Sequence, residues 1–392
     1  MRIHHVVYTL DPDGGGPPTY VPRLATAQAR LGHDVHIYAE EHVGRGDVID
    51  DFLAHVPGFE PVNVHRFTFA SGLQRNMAAD MLAGIRSDLQ GADIVHLHGV
   101  WQPLLARTAK IARRQGVPYV ISPHGMLDPY SLNQKALKKR VSMTLIQRRM
   151  LNGAAGIHTL NKDESDLIEP LGLRAPLFTV ALGLDLDEII PLPEPGGFRA
   201  EHPEIGERPF FLFLSRLHVK KGLDLLAEAA AMYAERGGDW NFVIVGPDGG
   251  AKADLEARVA SHGLGDRVFI TGPAYGDAKR HALADASGFV LPSRQEGFSQ
   301  AITEAMLCGL PIVCTENCHF PEVADVNAGI VTPLAIEPIA DALLAVSSDP
   351  DAARAMGENG VRLVTENYAW PKVAAEMVEA YQSHGARETA AV

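Results

Sequence analysis

The chain has 392 residues, 46% of them hydrophobic and 21% charged, which suits about two globular domains with separate cores and excludes disordered and collagen-like classes. A formal net charge of −13 argues against a general nucleic-acid-binding surface. Cys308, Cys314 and Cys318 lack paired metal-ligand spacing and secretory context, so a reducing cytosol is expected; the start of the chain is too polar for a signal peptide, and no run of about 18 apolar residues predicts a spanning helix.

In chain order, short apolar runs predict strands at residues 3–9, 34–39, 62–67, 94–98, 118–122, 156–160 and 177–180. Amphipathic stretches at 20–31, 77–89 and 104–115 lie between them, and this alternation predicts a doubly wound sheet. A Pro- and Gly-rich passage follows, placed as a linker over 191–208. The pattern then restarts with strands at 210–215, 241–245, 268–271, 288–291 and 311–314 and a helix at 222–234. An amphipathic helix at 370–382 and a frayed tail at 386–392 close the reading. The implied domains are 1–190, 209–368 and a terminal segment, 369–392, that crosses back to the first.

Chemistry-bearing residues cluster after strands. Glu296 and Glu304 flank a glycine turn and a helix start, Glu296-Gly297-Phe298-Ser299, where an α/β sheet binds ligands and a helix end offers free N–H groups. Acids that merely complement the helix dipole would leave the same pattern. Arg216 and Lys221, five apart at the earlier strand-to-helix junction, can converge on a diphosphate, one as a fork and one as a point charge; the alternative is a solvated basic cluster. Gly14, Gly15 and Gly16 follow the first strand and permit a close ligand approach, but match neither the dinucleotide fingerprint nor a P-loop. His124 follows the strand at 118–122 and can reach a crevice, or serve structure alone. His96 and His98 share one strand face, yet no third ligand is identifiable, so no metal is expected. Residues 134–150 carry six cations and no acid, which suits an anionic lipid surface or a phosphorylated acceptor; a second expectation, compatible with the first, is that Leu137, Val141, Thr144, Leu145 and Met150 pack on the sheet.

Together, Glu296 and Glu304, the Arg216/Lys221 segment, Pro292-Ser293 and Pro123-His124-Gly125 resemble retaining glycosyltransferases of family 4, bacterial members that build surface polysaccharides included. Two segments depart from the family pattern: Ala181-Leu182-Gly183 before the linker, and Pro17-Pro18 beside the glycine loop. The resemblance implies a GT-B fold of two Rossmann-like domains across a cleft. It implies transfer of a hexose from a nucleoside-diphosphate sugar to a polysaccharide or lipid-linked glycan, without a metal or other cofactor and without nucleic acid. Arg216 and Lys221 would hold the diphosphate and Glu296 the sugar hydroxyls. The N–H groups of Gly297, Phe298 and Ser299 would join the donor cradle, Glu304 would take the ribose, Gly16 would let its loop approach, and His124 would lie by the reacting sugar. The enzyme would be cytoplasmic, peripheral on the inner membrane face through 134–150. A sugar-nucleotide 2-epimerase or a glucan phosphorylase of the same fold, and a non-catalytic nucleotide-sugar sensor, are the alternatives.

Overall fold

Parallel strands covered on both faces read as unbroken apolar runs. Phe210–Leu214, five consecutive buried side chains, is the clearest case here. The computed structural model describes residues 1–69 and 78–385. They divide into two compact units, Met1–Gly183 together with the segment from Trp370, and Leu184–Ala369.

In the first unit the strands are β1 (Arg2–Val7), β2 (Asp34–His42), β3 (Asn63–Phe69), β4 (Ile94–His98), β5 (Tyr119–Ser122), β6 (Gly156–Thr159) and β7 (Leu177–Thr179). They form one parallel sheet in the order β3-β2-β1-β4-β5-β6-β7. Val7 pairs with Ala39 on one side and His98 on the other, so β1 is central and the order reverses beside it. Helices Gly16–Arg30 and Pro103–Gln115 carry the chain from β1 to β2 and from β4 to β5.

The second unit repeats this plan with β8 (Phe210–Leu214), β9 (Asn241–Val245), β10 (Val268–Gly272), β11 (Gly288–Leu291), β12 (Ile312–Thr315) and β13 (Gly329–Thr332). Its parallel order is β10-β9-β8-β11-β12-β13, with the reversal between β8 and β11. Loops leaving the carboxyl ends of two such strands turn to opposite sides and leave a crevice.

Three features differ from the expectations. β13, Gly329-Ile330-Val331-Thr332, was not among the expected strands. The passage 191–208 is no free linker. It carries the helix Gly197–Glu201, buries Phe198 and Ile205, and is held by the Asp285 carboxylate, which accepts the N–H groups of Gly196 and, at 2.9 Å, Arg199. The boundary also falls at Gly183/Leu184, earlier than 190. Met77, where one helix was expected to start, and the tail at 386–392 lie outside the described residues; the described part of that helix is Ala79–Asp88.

The helix Trp370–Gly385 belongs to the first unit, where Trp370, Val373, Ala374, Met377, Val378 and Tyr381 are buried. It lies on Gly16–Arg30, with the Trp370 and Tyr20 rings 5.7 Å apart and Gln28 Nε2 donating to the Tyr381 hydroxyl at 3.3 Å. Met377→Ala, which empties a fully buried site, is expected to cost about 2–5 kcal/mol in urea unfolding. An unchanged midpoint would mean that this helix does not complete the core.

Candidate functional site

After β8 the chain turns through Ser215-Arg216-Leu217 into a short turn, Val219–Lys221, where the His218 ring accepts the Lys220 N–H at 3.2 Å. Gly222 follows at φ 68°, and a β-carbon there would sit 1.9 Å from the carbonyl oxygen of Pro292. Only glycine allows the loop after β8 to press on the loop after β11. Arg294 stitches the two together: its N–H donates to the Lys220 carbonyl at 2.7 Å, and its guanidinium forks Asp224 at 2.7 and 2.6 Å. A bidentate fork of this kind fixes orientation as well as distance.

Within this frame Lys221 Nζ lies 2.6 Å from Glu296 Oε1, and the same oxygen accepts the Ser293 hydroxyl at 2.6 Å. The Glu296 side chain is only 9% exposed, so an unpaired charge there would carry a large desolvation cost. The ion pair and the hydroxyl remove that cost and aim the carboxylate. Ser299 caps the next helix, Gln300–Leu307, by accepting the Ile302 N–H, and Glu304 on that helix pairs with Lys279 Nζ at 2.8 Å.

The structure thus joins Lys221 directly to Glu296, at the strand reversal of the second unit. Arg216 stands on the same loop, exposed, its stem against Gly249 and with no ion pair among the described residues. Glu304 is engaged with Lys279 rather than with Glu296. Gly297 is exposed, the Phe298 ring packs on Phe320 and Tyr368 at 5.3 and 5.8 Å, and the buried Ser299 hydroxyl is taken by the cap. Asp224, Lys279 and Arg294 were not anticipated. Their partners lie 25 or more positions away in sequence, so no local pattern marks them.

In the first unit, the glycine loop needs glycine at Gly15, with φ 100°, rather than at Gly16, where a β-carbon would meet nothing within 4 Å. Gly16 instead begins the helix Gly16–Arg30. Asp11 and Asp13 both pair with Arg45, which accounts for their charge. His124 sits at φ 52° in the loop after β5. Glu164 anchors that loop by accepting the N–H groups of Gly125 at 2.8 Å and Leu160 at 2.7 Å. The His124 ring contacts His98 at 3.1 Å and faces Tyr20 edge-on at 5.4 Å.

His5 on β1 supplies the third imidazole that sequence left missing beside His96 and His98, their ligand atoms lying within 4.8 Å of one another. All six ring nitrogens are already in hydrogen bonds: His5 with His98 and Gln28, His96 with Tyr381 and Ser122, His98 with His5 and His124.

The helical run of 136–151 is broken by a π-helical segment, Met143–Gln147, between Ala136–Ser142 and Arg148–Leu151. Of the five residues expected to pack on the sheet only Met150 is buried. Leu137 and Leu145 are 78% and 72% exposed, and Val141 and Ile146 about half exposed, among the exposed cations Lys135, Lys138, Arg140, Arg148 and Arg149.

Two parallel sheets, each reversing beside its first strand, define a doubly wound α/β protein, and at the reversal of the second lie a lysine–glutamate pair and an arginine with no ion pair among the described residues. Family comparison matches residues 197–362 to "Glycosyl transferases group 1" and residues 15–183 to "Glycosyl transferase 4-like domain". The chain is 30% identical over 289 residues, 70% of it and 73% of the relative, to the GDP-mannose-dependent alpha-(1-6)-phosphatidylinositol monomannoside mannosyltransferase of Mycolicibacterium smegmatis. It is 25% identical over 389 residues, 98% of it and 97% of the relative, to the GDP-mannose:cellobiosyl-diphosphopolyprenol alpha-mannosyltransferase of Xanthomonas campestris. A solved glycosyltransferase of Rickettsia africae shares the fold, with a TM-score of 0.77 over 99% of each chain at 18% identity. The chain belongs to the group 1 glycosyltransferases, family 4, with the GT-B fold. It is a hexosyltransferase, and these relatives support transfer rather than epimerisation.

Burial lowers the imidazole pKa values, His4 and His124 to about 3 and His5 and His158 to about 4, with His96 and His98 also well below the ordinary range. An unfolded histidine takes its proton near pH 6.5, so between that point and pH 4 the unfolded chain binds more protons than the folded one. Stability is therefore expected to fall as pH drops from about 7 to about 5, by up to about 1.4 kcal/mol per pH unit for each such ring. Urea midpoints across that range check this, and a flat profile would contradict it.

Proposed function

We propose that this hexosyltransferase takes its sugar from a nucleoside diphosphate and passes it, with retention at the anomeric carbon, to a lipid-linked or polysaccharide acceptor. The observation that carries the proposal is the Lys221–Glu296 pair at the β8/β11 reversal, with Arg216 exposed beside it. An incoming diphosphate competes with Glu296 for Lys221, and Arg216 forks its oxygens. The released carboxylate, still aimed by Ser293, then accepts hydrogen bonds from sugar hydroxyls. The N–H groups of Gly297, Phe298 and Ser299, at the start of Gln300–Leu307, add donors to the cradle, and Glu304, its charge compensated by Lys279, takes the ribose hydroxyls. Lysine and arginine neutralise the leaving phosphate, so the reaction calls for no metal. Attack comes from the face the phosphate leaves: the acceptor oxygen bonds to the anomeric carbon as the sugar–phosphate bond breaks, and the acceptor proton passes to the departing phosphate oxygen.

Both relatives are named for GDP-mannose and for lipid-bearing acceptors, which makes GDP-mannose the first donor to try and a membrane the natural place of work. No described helix is long and apolar enough to cross a membrane. The exposed leucines among cations at 134–150 support peripheral docking on an anionic inner leaflet, the aliphatic groups entering the headgroup layer while the cations meet lipid phosphates.

Nucleoside diphosphate released only when acceptor is present is the expected result for a purified sample, while tight binding without release would favour a sensor. Lys221→Ala is expected to lower turnover by about 100-fold to 1000-fold and to weaken donor binding. Glu296→Ala should act mainly on turnover and Glu304→Ala mainly on nucleotide affinity; equal effects on affinity would refute that division. The double substitution Leu137→Glu with Leu145→Glu should abolish co-sedimentation with phosphatidylglycerol vesicles, and undiminished sedimentation would remove this helix from the membrane contact.

A further inference from the structure

One continuous chain of eight hydrogen bonds runs through the core of the first unit, from a backbone carbonyl to His124. His158 Nε2 lies 2.7 Å from the Val180 carbonyl oxygen, and His158 Nδ1 lies 2.6 Å from the Ser122 hydroxyl. That hydroxyl lies 2.5 Å from His96 Nε2, and His96 Nδ1 lies 2.6 Å from the Tyr381 hydroxyl. Gln28 contacts Tyr381 through Nε2 at 3.3 Å and His5 Nε2 through Oε1 at 2.8 Å. His5 Nδ1 then meets His98 Nε2 at 2.9 Å, and His98 Nδ1 meets His124 Nε2 at 3.1 Å.

The direction of every bond follows from the first. A carbonyl oxygen only accepts, so His158 carries its proton on Nε2 and offers a bare Nδ1. A neutral imidazole has one N–H and one lone pair, and a hydroxyl has one proton. Ser122 must therefore donate to His158 and accept from His96, and Tyr381 must donate to His96 and accept from the Gln28 amide nitrogen. That places the Gln28 oxygen toward His5, whose Nε2 donates to it. His98 then donates to His5, and His124 donates from Nε2 to His98. The argument requires neutral rings, and burial keeps these neutral. Reversing the chain would set a lone pair of His158 against the Val180 carbonyl; breaking it at any link would face two lone pairs or two protons in a dry core.

We propose that the Val180 carbonyl, acting through this chain, fixes His124 in the Nε2–H tautomer and leaves its Nδ1 lone pair as an acceptor for a ligand hydroxyl. His98, His5, Gln28 and Tyr381 are positioning residues, acting on the ligand only through His124. Nδ1 of His124 has no partner among the described residues, and the buried Tyr20 hydroxyl and Trp370 Nε1 also lack one. The identity of the ligand as a sugar rests on the transferase reading above; the tautomer does not.

Full-length protein labelled with nitrogen-15 histidine, examined by long-range proton–nitrogen correlation at neutral pH, reads the protonation of each ring nitrogen directly. Comparison with His124→Gln assigns the signals. The expected result is a single His124 tautomer with Nε2 protonated and Nδ1 bare. Tyr381→Phe deletes one oxygen and frees the Gln28 amide to flip, and His5→Phe frees His98. Neither residue shares a hydrogen bond with His124, yet both variants are expected to convert it to a mixture of tautomers. A protonated Nδ1 in the unaltered protein overturns the proposal without any substitution. A single unchanged tautomer in both variants, with folding verified by circular dichroism, overturns the role of the chain. A failed donor assay with the expected spectrum would count against the transferase reading alone.

Discussion

Each sheet begins at its centre. Because β1 and β8 are flanked on one side by the strand that follows and on the other by the fourth strand of their sheets, the strand order reverses there and loops distant in sequence leave two adjacent carboxyl ends. Every functional assignment in the second unit depends on that reversal. It brings residues 215–222 against residues 292–299, and contact is close enough that Gly222 has no room for a side chain. A parallel sheet without the reversal would cover both strand ends alike and separate Lys221 from Glu296.

Much of this was legible from local chemistry. Apolar runs such as Phe210–Leu214 identify buried strands, and cations or acids directly after such runs mark Arg216, Lys221 and Glu296, because a charge there must face a crevice or solvent. What local patterns did not carry were the pairings. Lys279 opposite Glu304, and Arg294 opposite Asp224, depend on side chains meeting across elements. The passage 191–208 was misread for a related reason: proline and glycine suggested a linker, whereas Phe198 and Ile205 dock it. Along 134–150 the apolar residues suggested a packed helix, yet periodicity alone does not say whether an apolar stripe finds a partner.

Polar groups in the two cores are managed differently. In the second unit, acids near the site are compensated by cations at 2.6–2.8 Å, an arrangement that a charged ligand can compete with. In the first, five histidines from β1, β4, β6 and the loop after β5 share neutral hydrogen bonds, an arrangement with a direction but no net charge. Direction is what a buried neutral network can transmit, since each proton placed decides the next.

The first unit is discontinuous, and this orders events during synthesis. The stretch Leu184–Ala369 is contiguous and can close its sheet as soon as it leaves the ribosome, while the sheet made earliest waits for Trp370–Gly385 to cover the helix Gly16–Arg30. At roughly 5–20 residues per second the delay between Gly183 and Tyr381 is on the order of ten to forty seconds. During that interval Tyr20, Gln28 and His96 lack the partners that bury them, and the nascent protein exposes an apolar face that chaperones can recognise.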